Sequence, residues 1–374
     1  MTVTTLPTWA QWAGGTDVRP FTVGVEEEVM LLRPETWALH DAVDEVIAGA
    51  PDSLAGNLHR ETHAAVVELS TGIHDTVGGA VAELHELRGR LRGTLDGLGL
   101  VAAVAGTHPF AVWTETTVSR GARQQQVYDS MRELARREPT FALHVHVAVA
   151  SPEQAIAAVN ALRSHLPLLL ALSANSPFWQ GRDTGLASAR TSLFQAFPRV
   201  GTPREFDGYG DYAEAVDLLI RLGAIPDPTF LWWDVRPQPR FGTVEVRIMD
   251  AQTTTAQAAP LIALVQCLVA MELEGPAVAA APPEILAENR FLAARNGAAA
   301  ELIDAAAEHR VSVRELAARV VAACAPHGDD LGCRAELDAV MGLVDAPPAA
   351  DQLSLAGGPD RLPGLVSALA ERFA

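Results

Sequence analysis

Three consecutive carboxylates, Glu26, Glu27 and Glu28, lie within an apolar run near the start of the chain. In a strand the side chains alternate between two faces, so Glu26 and Glu28 would share one face and Glu27 would point to the other. Two carboxylates on one side of a rigid strand repel each other unless a cation or a proton lies between them. Hard divalent cations such as Mg²⁺ prefer these oxygen ligands, so a metal site is one interpretation of the run. An isolated pair of this kind is more often part of a solvated edge strand, so the metal site depends on the rest of the sequence.

Three further runs alternate apolar with ionisable residues and are therefore predicted strands. On each of them two ionisable residues share a face: His144 and His146, Asp234 and Arg236, and Glu245 and Arg247. Glu68 stands among aliphatic residues in another β-type run. Together the runs predict a sheet with an apolar back and a charged, concave front. There carboxylates would hold Mg²⁺, and guanidiniums would neutralise a transferring phosphoryl group.

The pattern leaves other interpretations open for some of these residues. His144 and His146 could be histidines whose hydrogen bonds are satisfied within the sheet. They could also supply half of a zinc site in a hydrolase, although no third histidine stands in an obvious strand context. Glu245 and Arg247 could simply pair with each other on a solvated surface.

Every one of the 28 basic residues is arginine, and the formal net charge is −18. The lack of lysine excludes P-loop chemistry, Schiff bases and a lysine general base, so arginine or metal must bind any phosphate. The acidity argues against nucleic acid or an anionic membrane as a partner. Three cysteines without C-x-x-C spacing favour a reducing compartment, and no secretory signal is evident. We therefore expect a cytoplasmic protein that acts on small molecules.

The elements that must position these residues are strands in the first two thirds of the chain and helices in the remainder. We expect one catalytic domain over 1–374, with a loose leader at 1–19, a strand-rich part at 22–250 and a mostly helical part at 254–374. Because the strands do not alternate regularly with helices, the predicted fold class is α+β with a mainly antiparallel sheet. The stretch 175–211 has little periodicity and is predicted to be a functional loop. The apolar run 258–271 is predicted to be a buried helix, too short to span a bilayer.

Several short motifs, in this order along the chain, resemble those of the carboxylate-amine ligase family, the type 2 glutamate–cysteine ligase group. They are G-V-E-E-E at 24–28, G-T-H-P-F at 106–110, H-V-H-V at 144–147, N-S-P-F-W at 175–179, G-R-D-T-G at 181–185, W-D-V-R-P at 233–237 and T-V-E-V-R at 243–247. The resemblance implies a glutamine-synthetase-like fold, in which an antiparallel sheet curls into a funnel with helices packed outside. It also implies that ATP and Mg²⁺ activate the γ-carboxylate of glutamate as an acyl phosphate, which an amine such as cysteine then attacks.

By motif position, the resemblance implies a role for each candidate residue. The metal-binding carboxylates would be Glu26, Glu28, Glu68 and Glu245. The catalytic residues would be Glu68, Arg247, His144 and Arg190, and the nucleotide would be bound by Arg236, Arg247, Asp234 and His146. Either His144 or His146 would assist a metal or the glutamate, and the loop at 175–205 would close over the substrates. A homodimer is implied as well.

The sequence departs from the family pattern at two places that bear on the amine. A tyrosine common near Leu186 or Ala189 and a glycine common near Ala142 or Ala148 are absent. Their absence could reshape the pocket for the amine, so the identity of the amine stays open. The alternative is a non-catalytic protein that keeps the fold and binds the nucleotide; it would bind Mg-ATP tightly without forming product.

Overall fold

The computed structural model describes residues 6–13, 19–137, 139–275, 281–358 and 361–374. In these ranges the strands are β1 (Val23–Leu32), β2 (Leu58–Arg60), β3 (Val66–Ser70), β4 (Val101–Ala103), β5 (Ala142–Ala148), β6 (Phe178–Trp179), β7 (Arg182–Asp183), β8 (Val200–Gly201), β9 (Trp232–Trp233), β10 (Val235–Gln238), β11 (Thr243–Asp250), β12 (Glu301–Asp304) and β13 (His309–Ser312). The helices are α1 (Val43–Gly49), α2 (Asp52–Ala55), α3 (Val77–Leu98), α4 (Ala122–Met131), α5 (Pro152–Leu162), α6 (Leu166–Ser173), α7 (Ala189–Phe194), α8 (Tyr209–Arg221), α9 (Thr255–Glu274), α10 (Pro283–Asn296), α11 (Val313–Asp330), α12 (Arg334–Asp338), α13 (Val340–Asp345), α14 (Pro348–Ala356) and α15 (Leu362–Glu371).

Seven of these strands form one sheet in which every neighbouring pair is antiparallel. Its order is β10-β11-β5-β1-β3-β2, and β4 pairs with the end of β1. The five strands that carry the candidate residues are therefore consecutive neighbours. The predicted α+β class with an antiparallel sheet is confirmed, whereas the curling of the sheet into a funnel stays a prediction.

Helices cover the apolar face of the sheet. The side chains that alternate with the ionisable ones, such as Val25, Val145 and Val246, are buried in one core together with apolar residues of α9. From Val29 onwards, β1 lies in a second core that includes residues of α3 and α15. Because β side chains alternate, burying this face directs the ionisable residues to the opposite one.

The helix α9 behaves partly as predicted. Thr254 and Gln257 form a capping box at its start, and the helix runs for 20 residues to Glu274. By length and composition α9 could cross a membrane, as could α5 and α6 taken together as one bent pair, and 67% of the qualifying stretch of α9 is buried. The prediction of a buried helix is confirmed. The argument that it is too short to span a bilayer is wrong, because the helix extends past the apolar run at both ends.

The predicted loose leader is packed where the structure describes it. Trp9 and Trp12 make edge-on ring contacts with Tyr212 and Tyr209, respectively, and the Tyr209 hydroxyl donates to the carbonyl of Ala10 at 2.7 Å. The tryptophans of residues 8–13 thus provide apolar surface that packs against α8, and the division of the chain into a leader and two further parts stays a prediction. Residues 1–5 and 14–18 of the leader lie outside the described ranges.

Two other stretches contain more regular structure than predicted. The stretch 175–211 contains the β6–β7 hairpin, α7 and β8, so it is not a continuous loop. Strand β8 pairs in parallel with β9, which fixes this stretch beside the candidate strands. The mostly helical part after residue 254 also includes the β12–β13 hairpin.

Candidate active site

Strand register brings the candidate residues into rows across the ionisable face of the sheet. Opposite Glu26 of β1 lies His144 of β5, and opposite Glu28 lies Glu68 of β3. In the next row, Glu245 of β11 lies between His146 of β5 and Arg236 of β10. Paired residues in an antiparallel sheet have Cβ atoms about 4.5–5.5 Å apart, so this register alone clusters the ionisable groups.

A cavity of about 930 Å³ opens over this face. Its lining includes eight of the predicted residues: Glu26, Glu28, Glu68, His144, His146, Arg190, Arg236 and Arg247. Glu245 is only 1% exposed and lies beneath the cavity floor. Asp234 is the predicted residue that lies just outside this lining. Its carboxylate pairs with Arg290 at 2.8 Å, and it borders a small cleft that shares Arg190 and Arg247 with the cavity. Its predicted part in nucleotide binding stays a prediction.

Glu28, Glu61 and Glu68 form one acidic group, hereafter the Glu28 cluster, in which each side chain offers an oxygen within 4.8 Å of the others. Burial and the neighbouring Glu61 carboxylate raise the pKa of Glu28 to about 8. Burial, together with Glu26 and the other two carboxylates, also raises the pKa of Glu68 well above its usual value. Three carboxylates this close together, with raised pKa values at Glu28 and Glu68, have the chemistry of a cation site.

Glu61 was absent from the residues predicted from sequence. It lies between β2 and β3, outside any strand, so the alternating pattern that selected the other carboxylates could not select it. The available signal was its position directly after a short β-type run, His59-Arg60, that precedes Glu68 by only a few residues.

Glu26, His144 and Glu245 form a second group, hereafter the Glu26 cluster, whose ligand atoms also lie within 4.8 Å of one another. His144 Nδ1 is 3.2 Å from Glu26 Oε2, and burial together with the Arg247 guanidinium lowers the pKa of His144 to about 4. His146 Nδ1 lies 3.0 Å from the Thr243 hydroxyl. Its Nε2 lies 3.4 Å from Glu26 Oε1 and has no hydrogen-bond partner, although it is buried.

His146 and Glu26 favour each other's charged forms. Burial opposes this, but the Glu26 and Glu245 carboxylates raise the pKa of His146, and the two histidines lower the pKa of Glu26. The unsatisfied Nε2 of His146 is therefore a donor aimed at the acidic floor, next to the Glu26 cluster.

Two guanidiniums hold Glu245 in place. Arg236 donates to both carboxylate oxygens, through Nε at 2.7 Å and through a terminal nitrogen at 3.2 Å. Arg247 also pairs with Glu245, and its terminal nitrogen lies 3.4 Å from His144 Nδ1. Against the cost of burial, these two cations lower the pKa of Glu245 far below its usual value. The sequence-based alternative of a solvated Glu245–Arg247 pair is wrong, because the side chains of Glu245 and Arg247 are only 1% and 15% exposed.

A bulge in β11 aims Arg247 at the site. The pairing of β11 with β5 shifts between Val246 and Met249, and bulges of this kind redirect side chains next to active sites. Arg190 donates to the carbonyls of Ile248 at 3.0 Å and of Arg247 at 3.3 Å, which satisfies the bulged backbone. Its Nε is buried without a partner, and burial lowers its pKa.

A buried hydrogen-bond network around Asp250 lies next to the guanidinium of Arg190. Asp250 accepts from the Ser176 hydroxyl at 2.6 Å and from the Ser188 hydroxyl at 2.9 Å, and it lies 3.7 Å from the Arg190 guanidinium. A Cβ at Gly106 would lie 2.6 Å from the Asp250 carboxylate, so only glycine fits there. The predicted G-T-H-P-F motif thus has a packing role in this network.

Glu27 has a structural role on the opposite face of β1. Its two oxygens accept from Arg88 of α3 at 2.5 and 2.8 Å, and neither side chain is exposed. Arg88 also donates to the carbonyls of Gln252, Thr253 and Phe373, which ties β1 to the start of α9 and to the C-terminus. Of the three consecutive carboxylates, two therefore face the cavity and one anchors the strand.

The two clusters fit a hard cation better than zinc. In the described part of the chain, the groups with metal-ligand geometry contain five carboxylates and one histidine, His144. His146 belongs to neither group. Oxygen-rich sites suit Mg²⁺, whereas zinc prefers nitrogen and sulfur ligands, so the paired-histidine zinc site is not supported.

Curated proteins of known sequence resemble this chain over nearly its whole length. Two proteins of Rubrobacter xylanophilus, named "Putative glutamate–cysteine ligase 2-1" and "2-3", are 42% and 40% identical to it. The first match covers 87% of each chain, and the second covers 95% of this chain and 98% of the relative. A protein of Sorangium cellulosum with the corresponding name is 36% identical over 89% of this chain.

Solved structures resemble the fold. Glutamate–cysteine ligase from Francisella tularensis, in complex with AMP, gives a TM-score of 0.68 at 12% identity and covers 94% of this chain and 88% of that one. A bifunctional glutathione synthetase from Pasteurella multocida gives 0.67 at 13% identity, covering 94% of this chain and 52% of that one. Likenesses at such identity show the fold alone. The sequence profile described as glutamate-cysteine ligase family 2 matches residues 22–361, which include every candidate residue, and with the close relatives it shows that the chain belongs to that family.

Proposed function

We propose that the protein is an ATP- and Mg²⁺-dependent ligase that activates the γ-carboxylate of glutamate as an acyl phosphate and joins it to an amine such as cysteine. The observation that carries the proposal is the pair of carboxylate clusters at the floor of one cavity, which all their members line except the underlying Glu245, with Arg247 beside them. The names of the relatives support glutamate and cysteine as substrates, and the AMP bound to the Francisella enzyme supports an adenine nucleotide.

The residues present fit Mg²⁺. The Glu28 cluster would hold one ion and the Glu26 cluster another, and the raised pKa values of Glu28 and Glu68 are those of carboxylates that lack a compensating cation. When bound, the metal supplies positive charge that neutralises the phosphates of ATP. The clusters are fixed by strand register, so the protein side of the site is preorganised.

In the first step an oxygen of the substrate γ-carboxylate attacks the terminal phosphorus of ATP, and the bond from that phosphorus to the bridging oxygen of ADP breaks. Charge on the transferring group develops at its oxygens, where a fixed guanidinium stabilises it. Arg247 is suited to this role, because it lines the cavity and Glu245 and His144 hold its terminal nitrogen. Arg190 fixes the backbone that carries Arg247 and keeps its free Nε at the cavity wall.

In the second step the amine nitrogen attacks the carbonyl carbon of the acyl phosphate, the carbon–oxygen bond to phosphate breaks, and the amine loses one proton. Acyl phosphates hydrolyse in water, so the cavity must limit solvent access while the amine enters. The predicted closure of 175–205 would do this, and that segment already borders the cavity through Phe194 and Phe197.

The test is release of ADP from ATP in the presence of Mg²⁺, glutamate and a panel of amines that includes cysteine, with the products identified by mass spectrometry. We expect an amide product, and we expect Glu68→Gln to reduce its formation at least about a hundredfold, since loss of metal charge stabilisation costs several kcal/mol. Glu301→Gln, at an exposed position of β12, is the matched control and should retain activity. Tight binding of Mg-ATP without product would instead favour the non-catalytic alternative. The homodimer, the funnel and the cytoplasmic location stay predictions.

A further inference from the structure

We propose that Arg240, in the turn between β10 and β11, binds the carboxylate of an amino-acid substrate at the mouth of the cavity. The inference rests on the proposed ligase function and assigns it a specificity-determining residue. The substrate carboxylate is either the α-carboxylate of the donor or the carboxylate of an amine acceptor that is itself an amino acid.

Arg240 differs from the other arginines of the cavity in having no polar partner. Six arginines line it: Arg60, Arg123, Arg190, Arg236, Arg240 and Arg247. Five of them already donate to carboxylates, hydroxyls or carbonyls of the protein. Within the described ranges, the guanidinium of Arg240 instead lies 5.5 Å from the ring centre of Phe241 and has no hydrogen bond or ion pair. Its whole guanidinium is thus available for a ligand.

The turn that carries Arg240 is well defined. The amide of Phe241 donates to the carbonyl of Gln238 at 3.1 Å, and Gly242 takes a φ of 68°, which favours glycine. The packed N-terminal segment reinforces the turn, because the amide of Ala13 donates to the carbonyl of Pro239 at 2.9 Å. Because the backbone that carries the Arg240 side chain is already fixed, less conformational entropy is lost when the guanidinium binds an anion.

Arg240 is linked by side-chain contacts to the acidic floor. The ring of Phe241 meets the ring of His146 edge-on at 5.9 Å, and His146 Nε2 lies 3.4 Å from Glu26. Two apolar side chains, Phe241 (51% exposed) and Ile73 (82% exposed), also line the cavity. The mouth therefore offers one cation together with apolar surface, which matches the carboxylate and methylene groups of an amino acid.

Charge explains why such a cation is needed away from the floor. Wherever they are ionised and not neutralised by a bound cation, the four carboxylates of the cavity lining, Glu26, Glu28, Glu61 and Glu68, repel a substrate carboxylate. A donor with two carboxylates must have one of them at the floor and the other held elsewhere. A guanidinium binds a carboxylate through paired hydrogen bonds, so Arg240 would fix both the position and the orientation of the substrate.

The experiment compares the wild type with Arg240→Ala in steady-state assays on matched substrate pairs. On the donor side, glutamate is compared with 4-aminobutanoate, which lacks the α-carboxylate. On the acceptor side, cysteine is compared with 2-aminoethanethiol, which lacks the carboxylate. We expect Arg240→Ala to raise KM about tenfold or more for the carboxylate-bearing member of one pair, with kcat nearly unchanged and no effect on the analogue that lacks it. The pair that responds identifies the source of the carboxylate.

Two controls separate this inference from the proposed function. Arg310→Ala removes another exposed arginine from the β12–β13 hairpin, outside the cavity, and should change neither pair. Calorimetry measures binding of glutamate and of cysteine to both forms without any need for turnover. Weaker binding to Arg240→Ala supports the inference even if no ADP is released, a result that would contradict only the ligase proposal. Equal KM values and equal binding in the two forms, or no binding of either amino acid to the wild type, would overturn the inference.

Discussion

At the scale of single residues, Glu28 shows most clearly how burial and charge oppose each other in this site. It accepts a hydrogen bond from the amide of Ala142 at 2.6 Å, which favours the carboxylate form. Burial and Glu61 outweigh that bond and raise its pKa to about 8. Without a cation, Glu28 therefore carries a proton near neutral pH. Its burial beside other carboxylates lowers the free energy of unfolding of the protein.

We expect Glu28→Gln to stabilise the metal-free protein while abolishing ligase activity. The amide can still accept from Ala142 but carries no charge, so the free energy of unfolding near neutral pH should rise by roughly 1 to 3 kcal/mol, each pKa unit being worth about 1.4 kcal/mol. Urea denaturation in the presence of a chelator measures this. Glu301→Gln should change stability by less than about 0.5 kcal/mol. A destabilised Glu28→Gln protein would contradict the assigned repulsion.

The pH dependence of stability gives a second test of the same residue. The folded protein binds more protons than the unfolded chain between pH 4.5 and about 8, because the pKa of Glu28 rises on folding. The contribution of Glu28 to stability is therefore complete below pH 4.5 and lost as the pH rises towards 8. In chelator, the free energy of unfolding should fall across this range, and Mg²⁺ should reduce the fall by replacing the proton. An identical slope in the wild type and in Glu28→Gln would argue against this.

Which residues face the cavity could largely be read from the sequence. The alternation in β1, β5 and β11 separates the two faces with a fixed period of two, so Glu26, His144 and Glu245 could be placed on one side of their strands. The partner of Glu27, on the opposite face of β1, could not be predicted. Arg88 pairs with Glu27 across 61 positions and interrupts the leucine stripe of α3 only as a single polar residue.

At the scale of elements, the two faces of β1 contribute oppositely to stability. The face towards the cavity carries carboxylates that repel one another, whereas the opposite face is fixed by the Glu27–Arg88 pair. Arg88 donates five hydrogen bonds in all, to Glu27 and to three carbonyls. This fully satisfied pair fixes the strand that supplies Glu26 and Glu28, one member of each carboxylate cluster.

Arg88→Ala should therefore be strongly destabilising. Removing one partner of a buried ion pair leaves the other charge uncompensated and typically costs about 3–5 kcal/mol. Urea denaturation measures the loss, and the double variant Glu27→Gln/Arg88→Met should recover part of it, since no charge remains buried. Arg90→Ala, two residues along the same helix, removes the exposed pair with Glu86 and one exposed hydrogen bond to the carbonyl of Ser53, and it should cost less than about 1 kcal/mol. Equal costs for Arg88→Ala and Arg90→Ala would contradict this role.

The bulge in β11 is an element that the sequence did not reveal. Val244 to Met249 reads as a regular alternating strand, yet the pairing shifts at Arg247 and Ile248. The cause lies far away in the chain, because the guanidinium of Arg190 satisfies the two carbonyls that the bulge frees. A local sequence pattern contains no information on such a distant donor. The role of Arg190 in positioning Arg247 could therefore be recognised only from the structure.

At the scale of the whole molecule, the proposed metal sites and the proposed substrate entry lie at different parts of one cavity. The sheet floor carries both carboxylate clusters, and the cavity above it extends to the β10–β11 turn and to Phe194 and Phe197. Membership of glutamate-cysteine ligase family 2 and the antiparallel sheet agree with the motifs noted in the sequence. The motifs are short, but their order constrains the whole chain, which is why family and fold class were predictable while loop and helix boundaries were not.

The most direct test of the account follows oxygen atoms through the reaction. Glutamate labelled with ¹⁸O in its γ-carboxylate is incubated with the enzyme, ATP, Mg²⁺ and an accepted amine, and the released phosphate is examined by mass spectrometry. If the γ-carboxylate attacks the phosphorus of ATP, one labelled oxygen remains with each phosphate when the amine displaces it. Phosphate that carries one ¹⁸O per amide formed is the result we predict; unlabelled phosphate would contradict an acyl phosphate intermediate.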